Sequence, residues 1–405
     1  MTGSTANTVP RLRILHVVPT YYPAVRYGGT IRAVHGLTAA LVKRGHEVHV
    51  YTTSVDGDAD LDVPLDRAVD LDGVAVHYFR VPALRRLFWA PELHRRLRAS
   101  VAEFDIVHLH SVFLCPTWAG ARTAARSGVP YVLTPHGMLI RDVIRRKSRL
   151  VKTAWINLIE RATLAQAAGL HVTAELEGDE IRALRLPMPE VVSQIANGID
   201  LPQRHLPLSA TPFAGLPPRY ALFLSRISWK KGLDRLLTAW RQVPDLPLVI
   251  AGNDDEDYTP RLRGMVQSLG LEGRVLFIGP VSDEHKWGLY ERAELFLLPS
   301  YSENFGLVVA EAMAMGCPVV VTPEVGIARL VESVGAGLVT SNDPARLAAA
   351  INGLLVDEQR RLELGRRGPA AARHLFSWST VVEEMESFYS SAIAHSVGTG
   401  VVVRT

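Results

Sequence analysis

The stretch 295–322, LFLLPSYSENFGLVVAEAMAMGCPVVVT, decides the fold of the second half of the chain. It begins with one apolar run, LFLLPS, and ends with another, PVVVT, and both have the length of strands. Between them, FGLVVAEAMAMG is apolar on nearly every side and predicts a buried helix. Apolar runs without strict alternation are typical of strands that are buried on both faces of a parallel sheet. The stretch therefore predicts a unit of α/β architecture.

The same alternation of short apolar runs and longer helical segments extends along the chain. Strand-like runs occur at 12–19, 47–53, 105–110 and 131–136, and again at 220–227, 246–252, 275–281, 295–300 and 318–322. A helical segment from about Gly29 to Arg44 ends before Gly45, a residue suited to a helix end. The pattern predicts an α/β protein with two Rossmann-like, doubly wound domains that face each other across a cleft.

A proline-rich segment separates the two halves. Residues 200–218, DLPQRHLPLSATPFAGLPP, contain five of the 25 prolines and are typical of a linker. We predict an N-terminal domain at 1–200, a linker at 201–218, a C-terminal domain at 219–377 and a last helix at 378–395.

Composition excludes several classes of protein. The 405 residues include 44 Lys and Arg, 41 Asp and Glu, and two cysteines, so neither a disulfide framework nor a cysteine-based zinc site is expected. A net charge of +3 does not predict nucleic-acid binding. No apolar run approaches the length that spans a bilayer, and the polar start MTGSTANTVP does not resemble a secretory signal. We expect a cytoplasmic protein, at most attached to a membrane surface.

Two acidic residues in the opening stretch are candidate ligand-binding groups. Glu311 lies within the apolar helix and needs a partner, because an unpaired buried carboxylate is costly. Glu303 lies in the loop before the helix, where the backbone N–H groups of Asn304, Phe305 and Gly306 are available to bind oxygens. The alternative is that Glu303 caps the helix and Glu311 pairs with a buried arginine.

A second candidate loop, 225–232, follows the strand 220–227 and precedes a helix. Basic residues oppose the macrodipole at a helix N-terminus, so local stability does not explain Arg226 and Lys231. A diphosphate bound at this loop explains both cations, because it is stabilised by positive charge and by free N–H groups.

The N-terminal half offers weaker candidates. Gly28 and Gly29 allow the backbone to approach a ligand closely at the start of a helix, although a plain turn explains them equally well. His136 follows a strand and is able to donate to a sugar hydroxyl; His110 is a second candidate, and His108 has the position of a core histidine. Asp-x-Asp pairs occur at 58/60, 60/62, 70/72 and 255/257, the first three in a polar loop. Solvated turns explain them better than a metal site does.

Basic residues are interleaved with apolar ones at two places in the N-terminal half. One cluster spans 139–152 and contains Arg141, Arg145, Arg146, Lys147, Arg149 and Lys152; the other begins at Leu84 and continues to Arg98. This pattern suits an anionic bilayer surface, and solvated helix faces are the alternative.

Five ordered motifs resemble those of the group 1, or family 4, retaining glycosyltransferases with a GT-B fold. They are Gly28-Gly29, Asn197-Gly198-Ile199-Asp200, the loop from Arg226 to Gly232, Glu303-x7-Glu311 and Phe376-Ser377-Trp378. The Pro-His-Gly-Met sequence at 135–138 is similar to that of enzymes that build bacterial exopolysaccharides and O-antigens.

The resemblance implies roles for these residues. Arg226 and Lys231 would bind the diphosphate of a nucleotide-sugar donor, Glu311 the ribose, and Glu303 with the backbone of 304–306 the donor sugar. It also implies that the enzyme transfers a hexose from GDP-mannose or a UDP-hexose, with retention and without a metal or other cofactor.

For the N-terminal half, the resemblance implies that Gly28 and Gly29 lie on the phosphate and acceptor side, with His136 near the reacting sugar. His136, Glu303, Arg226 and Lys231 are the predicted catalytic residues, and His110 is predicted to bind substrate. The acceptor would be a glycan, free or linked to a polyprenyl diphosphate, and the last helix would cross back onto the N-terminal domain.

One departure from the family pattern affects the donor site. Where many relatives have a Gly-Gly turn and a glutamate after the strand 318–322, this chain has Pro-Glu-Val-Gly-Ile-Ala-Arg at 323–329. Two other functions stay open, a sugar-nucleotide epimerase with the same fold and a non-catalytic sugar-binding protein.

Overall fold

The computed structural model describes residues 10–24, 28–141, 144, 149–202, 205–244, 246–254 and 256–398. The chain divides into two compact units. Unit 1 consists of Met1–Thr173, Glu177–Ile195 and Trp378–Thr405, and unit 2 consists of Ala174–Leu176 and Ala196–Ser377. Unit 1 is therefore built from both ends of the sequence.

Unit 1 contains an eight-stranded sheet in the order β10-β9-β8-β7-β1-β2-β6-β5. The pairs from β10 through β6 are parallel, and β5 pairs antiparallel with β6. The strands β3 and β4 form a separate antiparallel hairpin. The strands are β1 Arg13–Val17, β2 Glu47–Thr53, β3 Val55–Asp56, β4 Ala59–Asp60, β5 Val69–Leu71, β6 Val74–Phe79, β7 Ile106–His110, β8 Tyr131–Thr134, β9 Gly169–Val172 and β10 Val192–Gln194.

Helices cover both faces of this sheet. Those in the first half of the chain are α1 Gly29–Lys43, α2 Pro91–Ser100, α3 Cys115–Ser127, α4 Arg149–Trp155, α5 Arg161–Ala165 and α6 Glu175–Ala183, with a π-helical turn at Ile156–Glu160. The final helix of the chain is Trp378–Gly398.

Neighbouring residues of β1 show how the two faces are filled. Ile14 packs in a cluster with residues of α1 and the final helix, such as Leu37 and Tyr389. Leu15 points to the other face, as alternation along a strand requires, and packs in a second cluster with α2 and α3. Both residues are fully buried.

The final helix lies directly against α1. A side chain at Gly36 of α1 would overlap the indole ring of Trp378. Glycine is therefore required at this position for the close approach of the two helices.

Unit 2 contains a six-stranded parallel sheet in the order β13-β12-β11-β14-β15-β16. Its strands are β11 Ala221–Leu224, β12 Leu248–Ala251, β13 Val275–Gly279, β14 Leu295–Leu298, β15 Val319–Val321 and β16 Gly337–Val339. Its helices are α7 Leu233–Trp240, α8 Thr259–Ser268, α9 Lys286–Arg292, α10 Leu307–Ala314, α11 Ala328–Val334, α12 Pro344–Val356 and α13 Glu358–Leu375.

The predicted fold class is confirmed: both units are α/β with parallel sheets. The predicted strands are present, and β2 has its predicted bounds. Most of the others are shorter, because their last residues leave the sheet and begin the loops that follow. The prediction of a polar loop around Asp60 and Asp70 was wrong, since these residues belong to the short strands β4 and β5. Short edge strands carry too few apolar residues to show in the sequence.

Candidate functional site

In unit 2, the loops that follow β11, β12, β14 and β15 are joined by backbone hydrogen bonds. The N–H of Ile227 donates to the carbonyl of Asn253 at 2.7 Å, and that of Tyr301 to Lys230 at 2.7 Å. The N–H of Glu303 donates to Glu324 at 3.0 Å. Because the carboxyl ends of parallel strands share one edge of the sheet, these loops form a continuous surface there, the usual ligand-binding edge of such sheets.

Two of the predicted catalytic residues contact each other on this surface. The Nζ of Lys231 donates to Oε2 of Glu303, and the two side chains are only 11% and 18% exposed. Gly232 follows Lys231 with a φ of 68° and packs against the Pro299 carbonyl. No side chain fits there, so the glycine turns the chain into α7.

Arg226 has a different environment on the same surface. Its side chain is exposed, and no hydrogen bond or ion pair of this side chain is present among the residues that the structure describes. The guanidinium is thus a cation that is available to a ligand, whereas the Lys231 ammonium is held in place by Glu303.

The loop before α10 presents backbone donors. Gly306 is the N-cap of α10, with a φ of 102°. Within the described part of the chain, the N–H groups of Phe305 and Gly306 have no acceptor. The Phe305 ring is buried and contacts Phe376 edge-on, with 5.7 Å between ring centroids. This packing holds the loop in place.

The segment 323–329, where the chain departs from the family pattern, is bonded to the same loop. The carbonyl of Glu303 accepts from Gly326 N–H at 2.9 Å, and that of Phe305 accepts from Ile327 at 3.1 Å. A side chain at Gly326 would collide with the carbonyl of Asn304. The segment therefore uses its N–H groups to support the loop 303–306.

Glu311 has the partner that the sequence required, but the partner is a lysine rather than an arginine. Its Oε1 accepts from Lys286 Nζ at 2.7 Å and its Oε2 from the Tyr290 hydroxyl at 2.9 Å. Lys286 also donates to Asp283 at 2.9 Å. Burial alone would lower the pKa of Lys286, but the neighbouring carboxylates outweigh it and raise this pKa. Sequence reasoning missed Lys286, although Lys286 and Tyr290 have the i, i+4 spacing of one helix face.

The glycines predicted in unit 1 lie at the start of α1. Gly28 is the N-cap of this helix, with a φ of 81°, and Gly29 is its first residue. Among the described residues, no side chain caps the first turn. The backbone N–H groups of this turn are therefore the donors that an anion would meet.

The predicted histidines belong to a larger group in unit 1. Nε2 of His136 lies 3.0 Å from Nδ1 of His110, and Nε2 of His110 lies 2.9 Å from Nδ1 of His16. His108 lies beside them with both ring nitrogens bonded, to Tyr389 and Thr134 at 2.7 Å each. The interpretation of His108 as a core histidine fits these contacts; His16 was missed because a single histidine in a strand carries no signal.

Burial keeps these imidazoles neutral. It lowers the pKa of His16 to about 3 and, with a smaller contribution from His171, that of His136 to about 3. Burial and then the neighbouring histidines lower the pKa of His108 and His110 well below 6.5. At neutral pH each ring therefore has one donor and one acceptor nitrogen.

The first basic cluster is partly described. Arg145, Arg146 and Lys147 lie outside the described residues. The following helical segment exposes three large apolar side chains, Leu150, Val151 and Leu158, to 85%, 66% and 79%. A cavity of about 350 Å³ adjoins Leu158 and is lined by Trp118, Arg122 and Arg126, among others.

The second cluster is mostly structural. Arg85 binds Asp60 at 2.8 Å, and Phe88 is buried in the core. Leu84 stays 63% exposed. None of the helices in the described ranges combines the length and the apolar character needed to cross a bilayer.

Two doubly wound units with these loops have the GT-B architecture of glycosyltransferases. A family model described as "Glycosyl transferases group 1" matches residues 212–371, and one described as "Glycosyl transferase 4-like domain" matches residues 28–198. The chain belongs to the group 1 glycosyltransferases.

Individual proteins support this assignment. The chain is 27% identical over 407 residues to a D-inositol 3-phosphate glycosyltransferase from Xylanimonas cellulosilytica, which covers 95% of this chain and 97% of that protein. Two solved structures share the fold. Sucrose-phosphate synthase from Thermosynechococcus elongatus has a TM-score of 0.76 and 23% identity, over 95% of this chain and all of that one. HepE from Anabaena, in complex with UDP and glucose, has a TM-score of 0.72 and 22% identity, over 94% of this chain and all of that one.

Proposed function

We propose that the protein transfers a hexose, with retention and without a metal, from a nucleoside-diphosphate sugar to a hydroxyl of a glycan acceptor. One observation carries the proposal: a single surface of unit 2 combines the Lys231–Glu303 pair, the exposed Arg226 and the free N–H groups of Phe305 and Gly306. Cations and backbone donors suit a diphosphate, and a carboxylate suits sugar hydroxyls.

In this mechanism Arg226 and Lys231 bind the diphosphate. The bond between the sugar C1 and the phosphate oxygen breaks, and its electron pair leaves with the diphosphate. The two cations stabilise that growing negative charge more in the transition state than in the ground state. The hydroxyl oxygen of the acceptor bonds to C1 on the face that the diphosphate leaves, and its proton passes to the departing phosphate oxygen. No protein nucleophile is needed.

Two carboxylates have separate roles in the proposal. Glu303 accepts hydrogen bonds from hydroxyls of the donor sugar, beside the backbone of Asn304. Glu311 accepts from the ribose hydroxyls through lone pairs that Lys286 and Tyr290 leave unused, since a carboxylate has about four acceptor sites. Its two partners hold the carboxylate in the orientation for that contact.

In unit 1 we assign the acceptor-side contacts to the first turn of α1 and to the histidines. Gly28 and Gly29 present N–H groups to a phosphate or an acceptor oxygen, and His136 binds a hydroxyl of the reacting sugar. His110, whose Nδ1 lies 3.0 Å from Nε2 of His136, acts through that ring.

The donor is a UDP-hexose or GDP-mannose, and a thermal-shift screen against UDP, GDP and ADP separates these. A ligand at 100 times its Kd stabilises by about 2.7 kcal/mol, so the cognate nucleotide should give the largest shift. Arg226→Ala and Lys231→Ala should lose that shift, while Arg241→Ala, an exposed arginine at the far end of α7, should keep it. Equal shifts in all three variants would contradict the assigned site.

The acceptor decides between transfer and the epimerase alternative. Labelled donor should give a glycosylated product only when an acceptor is present, and the anomeric signal of that product should match the donor. A polyprenyl-diphosphate-linked glycan and inositol 3-phosphate, the compound in the name of the Xylanimonas relative, are the two acceptors to compare. Release of nucleotide or an epimer at a rate independent of acceptor would favour the epimerase.

We further propose that the enzyme is cytoplasmic, acts in bacterial polysaccharide biosynthesis, and attaches to an anionic membrane through unit 1. The exposed Leu150, Val151 and Leu158 and the cavity with Arg122 and Arg126 support this, because apolar and basic groups together suit a lipid surface. Leu150→Glu with Leu158→Glu should release the protein from vesicles that contain anionic lipid. Leu362→Glu, an exposed leucine of unit 2, is the matched control. Unchanged co-sedimentation of the double variant would contradict membrane attachment.

A further inference from the structure

Histidines line one edge of the unit 1 sheet and form two hydrogen-bonded chains. They lie on β1, β7 and β9 and directly after β8, which are adjacent strands. Register places His16 beside His108, and His110 beside Thr134. The members of the group are His16, His108, His110, His136 and His171.

The first hydrogen-bonded chain runs from His171 through Thr134 and His108 to Tyr389. Its proton positions follow from the His171 end. Nε2 of His171 lies 2.9 Å from the Ile195 carbonyl, which only accepts, so this nitrogen carries the proton. Nδ1 of His171 therefore accepts from the Thr134 hydroxyl at 2.8 Å. That hydroxyl in turn accepts from Nε2 of His108, and Nδ1 of His108 accepts from Tyr389.

This chain argues against a metal site at the edge of the sheet. His16, His108 and His110 bring three ring nitrogens within 4.8 Å of one another. Both nitrogens of His108 are already used, one as a donor to Thr134 and one as an acceptor from Tyr389. A metal ligand needs a free lone pair, so this group offers a metal at most two imidazoles.

The second chain, His136–His110–His16, has two neutral arrangements. Each nitrogen pair shares one proton, and each neutral ring carries one. Either all three rings carry the proton on Nδ1, or all three carry it on Nε2. A change at one ring therefore changes the donor and acceptor nitrogens of the other two.

The buried end of the second hydrogen-bonded chain, at His16, decides which of the two arrangements is favoured. Nε2 of His16 is buried and has no hydrogen-bond partner in the described structure. With protons on Nε2, a buried N–H would lack an acceptor, whereas with protons on Nδ1 the unpaired group is a lone pair. Orphaned buried N–H groups are the rarer of the two defects in native proteins, so the Nδ1 arrangement is favoured.

We propose that His16 and His110 are positioning residues that hold His136 as the neutral tautomer with its proton on Nδ1. Unit 1 then presents a hydrogen-bond donor at His136 and binds a ligand oxygen that accepts. Identification of that oxygen as a sugar hydroxyl rests on the proposed function. The tautomer itself does not rest on it.

Nuclear magnetic resonance tests the tautomer directly. In protein labelled with ¹⁵N in its histidine rings, long-range ¹H–¹⁵N spectra distinguish a protonated from an unprotonated ring nitrogen, and His136→Gln identifies the signals of that ring. We expect Nδ1 of His136 to be protonated and Nε2 unprotonated at neutral pH. The opposite pattern in the wild-type protein would overturn the proposal.

Variants at His16 test the coupling. His16→Met places a thioether, which accepts weakly and does not donate, opposite Nε2 of His110, so the His136 signals should shift toward the Nε2-protonated form. His16→Asn offers an amide donor close to the position of Nδ1 and should restore the wild-type pattern. His94→Phe changes a half-buried histidine of α2 outside both chains and should leave the His136 signals in place.

Activity measurements separate this proposal from the proposed function. Loss of one hydrogen bond to the ligand should lower kcat/KM for transfer in His16→Met about 10- to 100-fold, with the KM for the donor little changed and partial rescue in His16→Asn. Unchanged His136 signals in His16→Met would overturn the coupling. Shifted signals with normal transfer would support the coupling and contradict a role of His136 in transfer.

Discussion

Replacement of Lys286 by methionine removes the cation that pairs with Glu311 inside unit 2. The two side chains are only 9% and 11% exposed, and their charged atoms lie 2.7 Å apart. Without the ammonium, the Glu311 carboxylate is a buried charge with the Tyr290 hydroxyl as its remaining donor. Loss of one partner of a buried pair costs about 3–5 kcal/mol, because the other charge stays out of water. We expect the free energy of unfolding of unit 2 to fall by that amount.

Calorimetry of the full chain measures this loss. In a unit of this size, 1 kcal/mol corresponds to a change of about 2–4 °C in Tm, so the expected decrease is about 6–20 °C. Asp283→Asn is the matched control. Asp283 contacts the same Nζ at 2.9 Å but is 57% exposed, and exposed pairs contribute about 0–1 kcal/mol.

A double variant decides whether the unpaired charge is the cause. Lys286→Met combined with Glu311→Gln should recover most of the Tm, because the amide oxygen still accepts from Tyr290 and no charge is buried. A decrease in Tm below about 3 °C in Lys286→Met, or a double variant no more stable than Lys286→Met, would refute the reasoning.

Three further predictions concern other parts of the molecule. Lys231→Ala should lower the rate of transfer about 10²- to 10³-fold, measured well below the Tm of the variant because Glu303 loses its cation as well, and near-normal rates would remove this residue from the donor site. Burial lowers the pKa of His16 to about 3, whereas the unfolded chain binds that proton near pH 6.5. The free energy of unfolding of unit 1 should therefore fall as the pH is lowered from 6.5 to 3, by about 1.4 kcal/mol per pH unit for each such histidine. Urea titrations measure this loss, and His16→Phe should show a smaller dependence of stability on pH. Gly36→Ala should cost about 1–3 kcal/mol through overlap with Trp378, and unchanged urea midpoints would show that the two helices separate at no cost.

The parts of the fold that the sequence predicts are those with a strong local signal. Buried parallel strands such as Leu295–Leu298 and Val319–Val321 consist of unbroken apolar residues, and the helix between them is apolar all round. The strand Val69–Leu71 lacks such a signal, because it lies at the sheet edge and has only two apolar residues. Antiparallel pairing with β6 defines it.

In the candidate site, sequence reasoning identified charges but not their partners. The need for a partner at Glu311 follows from the apolar helix around it, yet Lys286 comes from a different helix and only the fold brings it there. The contact between Lys231 and Glu303 likewise depends on the neighbouring order of β11 and β14. The histidine chain depends on the strand register that aligns His16 and His110, which no local pattern encodes.

The contact between Lys231 and Glu303 implies different tasks for the two cations of the proposed donor site. The pair is close to neutral, so it contributes little to the long-range attraction of a diphosphate. Arg226 is exposed, and its field acts first on an approaching anion, which makes its contribution sensitive to salt. Lys231 is largely buried. Its interaction with a diphosphate is therefore stronger and less screened than it would be in water. Arg226→Ala should therefore weaken nucleotide binding mainly at low ionic strength, while Lys231→Ala should weaken it at every salt concentration.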